Sequence, residues 1–339
     1  MASSSAKLWR SAVRRRGVLQ FGVAGLAAML VQGCTGGKTT AGGATTTTGS
    51  GGATSAAPSS PAAPPVTLPV YSPPVIPFAT LKKLYSYDQS SFLDAVLTNQ
   101  TRPGAVIVED VTFSDTRGGT IPAYVVTPQS VKGRMPGIVF APGAGQTRDT
   151  WMPELTALAG AGFTAMVTGV DYKPTENAAA DSTMVVNGVL AQRRALDLLS
   201  RRDDTDPTRL AVVGHGWGGA LMEIVAGLEA RLSGVVVADV GSRFSLSMAA
   251  SMKTDPKPYL DQLTRFDGVR YLSQAGKRQV LMQFGTKGQS VPPAQAAELF
   301  TVTTGVKQRK DYDTSDDLVT PAAAVADRLV FFKKVLKVK

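Results

Sequence analysis

The sequence predicts an α/β fold: a mostly parallel central sheet with helices on both faces and an antiparallel hairpin at its N-terminal side. Three observations predict it. From about residue 105 onward, short apolar segments alternate with longer amphipathic ones, as in strand–helix–strand units. The runs "GIVFA", "RLAVVG", "VVVAD" and "VLMQF" are apolar at nearly every position, so both faces of those strands are buried. The chain is 43% hydrophobic and 18% charged, enough apolar surface for such a core and too much for a disordered body.

The elements follow in order. "AVIVEDVTF" (105–113) and "TIPAYVVTP" (120–128) are β-rich and flank a Gly-Gly turn, which predicts the hairpin. "MPGIVFAPG" is a buried strand, "WMPELTALAGAG" a helix and "FTAMVTGVD" a further strand. Residues 181–200 form a long amphipathic helix with Asp181 or Ser182 as N-cap. "RLAVVG" leads into a buried helix over 217–232, and "SGVVVADVG" and "RQVLMQFG" are strands. Residues 243–272 have weak periodicity and read as a small cap inserted between those two strands. "PPAQAAELF" opens a helix with Pro in its first turn. "GVKQRKDY" is an edge strand whose Lys and Arg discourage further pairing. Residues 320–338 close the chain as a helix. No repeat of 20–50 residues is visible.

The first 33 residues read as an export signal. A basic stretch ends in Arg14-Arg15-Arg16, an apolar segment runs from Gly17 to Val31, and Gly33 precedes Cys34. The apolar segment is short for a membrane-spanning helix, which needs about 20 residues. "RRGVLQF" resembles a twin-arginine signal, and "LVQGC" resembles a bacterial lipobox, with Val31 and Gln32 departing from its usual residues. The resemblance implies lipid attached at Cys34 and a protein held on the outer face of the cytoplasmic membrane, in the cell envelope. The plainer reading is an N-terminal membrane anchor with an incidental Cys. Residues 34–74 are rich in Thr, Gly, Ala and Pro and cannot offset chain entropy by burial, so they form a disordered tether to a domain at 75–339.

Charge and rare residues exclude several classes. The formal net charge is +10, and five of those charges precede Cys34, which leaves +5 scattered over the remainder. A nucleic-acid groove needs a concentrated patch, so no nucleic-acid partner is expected. With one Cys and one His there is neither a disulfide framework nor a multi-Cys metal site, and no metal or cofactor is expected.

The motif that carries chemistry is "VVGHGWGGA". A strand runs into Gly214-His215-Gly216-Trp217-Gly218 and then into a helix. With "MPGIVFAPGAG", "FGTKGQSVP" and "YDTSDDL" in the same order, the chain from about 105 to 337 resembles the α/β-hydrolase superfamily, in particular its dienelactone-hydrolase-like and prolyl-oligopeptidase-like branches. The resemblance implies a Ser nucleophile at the centre of G-x-S-x-G, then an acid, then a His. This sequence has Gly216, Gly288 and Asp316 at those places. Gly has no nucleophile, and a carboxylate of ordinary pKa is a poor base near pH 7. His215 is the sole His, and beside the nucleophile position it has a packing role.

Gly143, Ala144 and Gly145 occupy the oxyanion-loop position and Trp217 can wall a pocket. Asp171, Lys173 and Asp239 follow strand carboxyl ends, where ligands bind in open α/β sheets, although a helix cap or an ion pair is the simpler role for each. Thr147 and Ser242 are hydroxyls without an identifiable base. "DYDTSDD" lacks the Gly and Glu of a calcium loop. The expectation is a cell-envelope lipoprotein with a hydrolase fold and no working triad, binding a small molecule or a partner protein. The alternative is an esterase with an unrecognised centre.

Overall fold

A computed structural model describes residues 72–130, 133–169 and 171–338. The export segment, Cys34 and nearly all of the tether lie outside the described residues. Among the described residues no helix is long and apolar enough to cross a membrane.

One nine-stranded sheet organises the body. Its strands are β1 (Val96–Thr101), β2 (Val106–Ser114), β3 (Thr120–Pro128), β4 (Met135–Ala141), β5 (Thr164–Thr168), β6 (Thr205–His215), β7 (Leu232–Ala238), β8 (Gln279–Gly285) and β9 (Lys307–Tyr312). Their order across the sheet is β1-β2-β3-β5-β4-β6-β7-β8-β9. From β5 to β9 all neighbours are parallel, and β1, β2 and β3 add antiparallel pairs. The expected hairpin is β2–β3, in register from Val106↔Pro128 to Ser114↔Thr120. Its turn is held by Asp115, whose carboxylate accepts from the amides of Arg117 and Gly119. The antiparallel part is one strand larger than the sequence indicates.

The helices are α1 (Phe78–Lys83), α2 (Met152–Gly160), α3 (Ala178–Ser200), α4 (Trp217–Leu228), α5 (Phe244–Ala249), α6 (Lys257–Leu263), α7 (Val269–Leu272), α8 (Pro293–Val302) and α9 (Ala322–Val335). On one face of the sheet, Trp151, Leu155 and Leu158 beside α2 and Phe331, Phe332 and Val335 of α9 pack on Ile138, Phe140, Val167 and Val213. The intervening residues Val139 and Val212 are equally buried and, by strand alternation, face the other layer, where α3 and α4 contact β4 and β6. That is why these strands read as continuous apolar runs.

Two expectations are corrected in detail. The long helix begins at Ala178, capped by the Asn177 side chain, which accepts from the amides of Ala179 and Ala180. Asp181 is instead buried and accepts from the amides of Thr175 and Glu176 and from the hydroxyl of Tyr259. It therefore ties the loop before α3 to α6 rather than capping the helix. The helix after the Gly-rich motif ends at Leu228, four residues early, because β7 takes up the chain from Leu232.

A buried carboxyl pair sits under the cap formed by α5, α6 and α7. Glu223 of α4 is fully buried, and neither of its oxygens has a hydrogen bond. Burial raises its pKa well above the usual carboxylate range, and nearby Asp267 adds to the rise. Asp267, also buried, is pushed up to about 7 by desolvation against an amide hydrogen bond from Ser245. Both groups bind protons more tightly folded than unfolded. Their stabilisation is therefore complete below the ordinary carboxylate value and is lost as pH rises through the folded values. The melting temperature is expected to fall as pH rises from about 4 to about 7. Glu223→Met is expected to flatten that decline and to stabilise the protein at pH 8 by about 1–3 kcal/mol. Thermal unfolding across pH checks it, and an unchanged pH slope in the variant counts against this account.

Candidate functional site

The strand order creates the site. β5 lies on one side of β4 and β6 on the other, so the chain leaves the carboxyl ends of β4 and β6 in opposite directions and opens a crevice. A cavity of about 470 Å³ occupies it. Its lining includes Ala144, Tyr172, His215, Gly216, Trp217, Asp239, Phe244 and Asp316.

At its floor, β6 turns sharply into α4. Gly216 at the apex has φ +51° and ψ −115°, in the left-handed region that only Gly enters cheaply. A Cβ placed there would meet nothing within 4 Å, so a side chain would have room and the backbone alone would resist it. Gly218 is required sterically, because a Cβ there would collide with the carbonyl of Ala141 at the end of β4. The Gly pattern thus lets α4 start directly against β4. Trp217, the first residue of α4, has an amide with no intrahelical acceptor.

The three loops implied by the motifs converge. Gly216 and Asp316 line the same cavity, and a Cβ built on Gly288 would collide with the Asp316 carboxylate. That carboxylate accepts from the amides of Gln289 and Ser290, at 3.2 Å each, and so holds the loop after β8 to the loop before α9. Of the oxyanion-loop residues, Ala144 lines the cavity. Gly143 and Gly145 shape the loop rather than line the cavity, and the Gly143 amide is already bonded to Gln146 Oε1 at 2.7 Å.

His215 joins these loops. Its Nε2 lies 2.7 Å from the Asp316 carbonyl oxygen, which can only accept, so Nε2 carries the proton. Gln146 has its oxygen on the Gly143 amide, so its Nε2 donates to His215 Nδ1 at 3.2 Å. Both ring nitrogens are in use, bracing the loop after β4 against the loop before α9.

Asp239 is the most unusual group in the site. It follows β7 directly, with φ +44°, a conformation uncommon for a residue with a side chain. It is only 5% exposed. One carboxylate oxygen accepts from the Gly285 amide at 3.0 Å, and the other, Oδ2, has no hydrogen bond. His215 Nε2 is 3.5 Å from Oδ2, but its proton points to the Asp316 carbonyl. Burial pushes the Asp239 pKa up, against the pull of the His215 ring and the Gly285 amide.

The remaining candidates have structural roles. Asp171 and Lys173 pair with each other at 2.9 Å on an exposed loop. Thr147 caps the short 3-10 turn at Arg148–Trp151. The Ser242 hydroxyl donates to Glu298. The acidic run is spent on separate partners, with Asp311 on Arg309, Asp313 on Lys287 and Asp317 on Thr320. Among the described residues no three His, Cys, Asp or Glu cluster as metal ligands.

Two lining residues went unnoticed in the sequence. Tyr172 and Phe244 join Trp217 in an aromatic wall, with ring centroids 4.9 to 6.2 Å apart. Each follows a strand on the carboxyl side of the sheet, Tyr172 after β5 and Phe244 after β7, and that position was the available signal.

A mostly parallel sheet, a strand–turn–helix with a left-handed apex and a crevice above the carboxyl edge together define an α/β-hydrolase architecture. A model of the alpha/beta hydrolase family matches residues 138–332, and the chain belongs to that family. No curated protein matches it significantly. The fold is similar to that of an acetyl xylan esterase from a Paenibacillus species, with TM-score 0.64 and 21% identity over 76% of this chain and 93% of that one. It is similar to acetyl xylan esterase 1 from a Thermoanaerobacterium species, with TM-score 0.60 and 16% identity over 78% and 99% of the two chains. A prolyl endopeptidase structure gives TM-score 0.55 and 18% identity over 70% of this chain and 40% of its own. At these identities the likeness is one of fold.

Proposed function

We propose that the protein is a cell-envelope lipoprotein that binds a ligand or partner in the hydrolase crevice and does not hydrolyse it. The observation that carries this reading is the commitment of His215. The only imidazole in the chain has both nitrogens in structural hydrogen bonds, beside an apex residue without a side chain. A hydroxyl nucleophile needs a base within hydrogen-bond reach; Gly216 supplies no hydroxyl, and the Asp316 oxygens are engaged by the amides of Gln289 and Ser290. The cavity itself keeps features useful for binding: an aromatic cluster and two acidic residues in its lining.

The catalytic half of the reading is tested by incubating the purified protein with nitrophenyl acetate and nitrophenyl butyrate. Turnover is expected to rise linearly with ester concentration, without saturation. Saturable turnover removed by a pocket-filling Gly216→Leu change would replace this reading with an unrecognised catalytic centre. The lipoprotein half rests on "LVQGC" and the preceding basic-apolar segment. Cell fractionation is expected to find the natural protein with the membrane and the Cys34→Ala form released from it. Equal membrane retention of both forms would sink the lipid anchor.

A further inference from the structure

The charge balance of the crevice narrows what it holds. Two carboxylates, Asp239 and Asp316, line it, and no Lys or Arg does. The one ring beside them, His215, has its nitrogens on Gln146 and the Asp316 carbonyl. The two cations next in sequence to the wall have other partners: Arg243 meets Glu298 at 2.6 Å and Lys173 meets Asp171 at 2.9 Å. Asp316 spends its oxygens on two amides. Asp239 lines the cavity as a residue: one of its oxygens accepts a single amide, from Gly285, and the other, Oδ2, is buried 3.5 Å from His215 Nε2 with no hydrogen bond.

The same crevice is also lined by aromatic rings. Tyr172, Trp217 and Phe244 form a continuous aromatic wall. Aromatic faces attract cations by their quadrupole, most strongly where water is excluded, and they repel anions. An anionic ligand would face two acidic residues with no Lys or Arg in the lining, and a neutral ligand would gain nothing from that acidity. A cation with an apolar body suits both features together.

We propose that the crevice binds an organic cation, with its ammonium head between Asp239 and Asp316 and its apolar body against the Tyr172–Trp217–Phe244 wall. The inference rests on the non-hydrolytic binding role proposed above and names the ligand class for it. The head need not donate a hydrogen bond to gain from this arrangement, so a quaternary ammonium serves as the probe. A hydroxyl or carbonyl oxygen on the same ligand can accept from the Trp217 amide.

The test uses calorimetric titration and thermal shift of the purified protein with choline, with its uncharged carbon isostere 3,3-dimethyl-1-butanol, and with acetate. Choline is expected to bind saturably, about tenfold or more tighter than the isostere, and to raise the melting temperature. Acetate is expected not to bind. Asp239→Asn is expected to bring choline and the isostere within about twofold of each other. Asp316→Asn, on a more exposed loop, repeats the comparison in case the first variant fails to fold, and a narrowed preference is expected there too.

Tighter binding of the isostere or of acetate overturns the cation and leaves a binding crevice in place. Absence of saturable choline binding also overturns it. A choline preference unchanged in both variants moves the cation elsewhere on the protein and overturns the site. Saturable ester turnover by the natural protein is the separate result that removes the non-hydrolytic reading beneath this one.

Discussion

Nitrophenyl ester hydrolysis is expected to rise at least about a hundredfold when Gly216→Ser, Gly288→Asp and Asp316→His are introduced together. That is a small part of the roughly 10⁶-fold that a complete triad contributes in a serine protease, because grafted groups start without tuned geometry. The structure favours the attempt for specific reasons. The apex is already in the left-handed turn, with open space where a Ser side chain would project. Positions 288 and 316 already touch, so an Asp at one and a His at the other fall within reach of each other. Gly216→Ser alone is expected to give no esterase and to cost about 1–3 kcal/mol through backbone strain. Steady-state kinetics on the single and triple variants, with thermal unfolding alongside, checks both statements. A single Gly216→Ser enzyme with strong saturable turnover would show that a base other than position 316 serves the apex.

The largest stability effect is expected from Arg328→Met. Arg328 of α9 is fully buried, and every part of its guanidinium is engaged. It meets the Glu154 carboxylate with two bonds, at 2.8 and 2.6 Å, and donates to Gln283 Oε1 and to the carbonyls of Leu318 and Val319. Burial raises the pKa of Glu154 against the opposing pull of Arg328. Removing the arginine therefore leaves a buried acid and two buried carbonyls without partners. Breaking such a pair from one side costs about 3–5 kcal/mol, far more than a surface ion pair contributes. A fall in melting temperature of roughly 6–20 °C follows for a domain of this size. The Glu154→Leu, Arg328→Met double variant is expected to recover part of it, since no charge then remains buried. Thermal unfolding of the three proteins decides the matter, and a double variant less stable than Arg328→Met would show that the pair is not the source of the loss.

The parts of the fold legible in the sequence are those where burial is symmetrical or periodic. β4, β6, β7 and β8 are covered on both faces and appear as unbroken apolar runs. β9 was legible for the opposite reason, as a charged strand at an open edge. β1, "VLTNQT", was missed. It is the other edge, almost entirely exposed, and has no buried face to impose alternation. α1, α5, α6 and α7 have four to seven residues each, too short for a helical period to show. The start of α3 was misplaced because Asn177 and Asp181 are both good caps locally, and only the tertiary contact with Tyr259 takes Asp181 away. In the site, the apex and the two loops facing it were visible as motifs. The orphan oxygen of Asp239 and the carboxyls of Glu223 and Asp267 were not, since nothing in a local sequence shows that an acid is buried.

The contact between positions 288 and 316 has an evolutionary consequence. Under the reading proposed above, a descendant of this chain would gain hydrolysis only through several substitutions, and their order matters. A side chain at position 288 meets the carboxylate now at 316, so that step requires the Asp316 side chain to leave the Gln289 and Ser290 amides. Changing 316 first releases the amides of Gln289 and Ser290 and loosens the loop before any activity appears. Serine at 216 adds strain with no base to use it. Each first step downhill in stability brings no return in turnover, so selection on activity has no gradient to climb. The lineage is held by a ratchet built from one pair of facing loops.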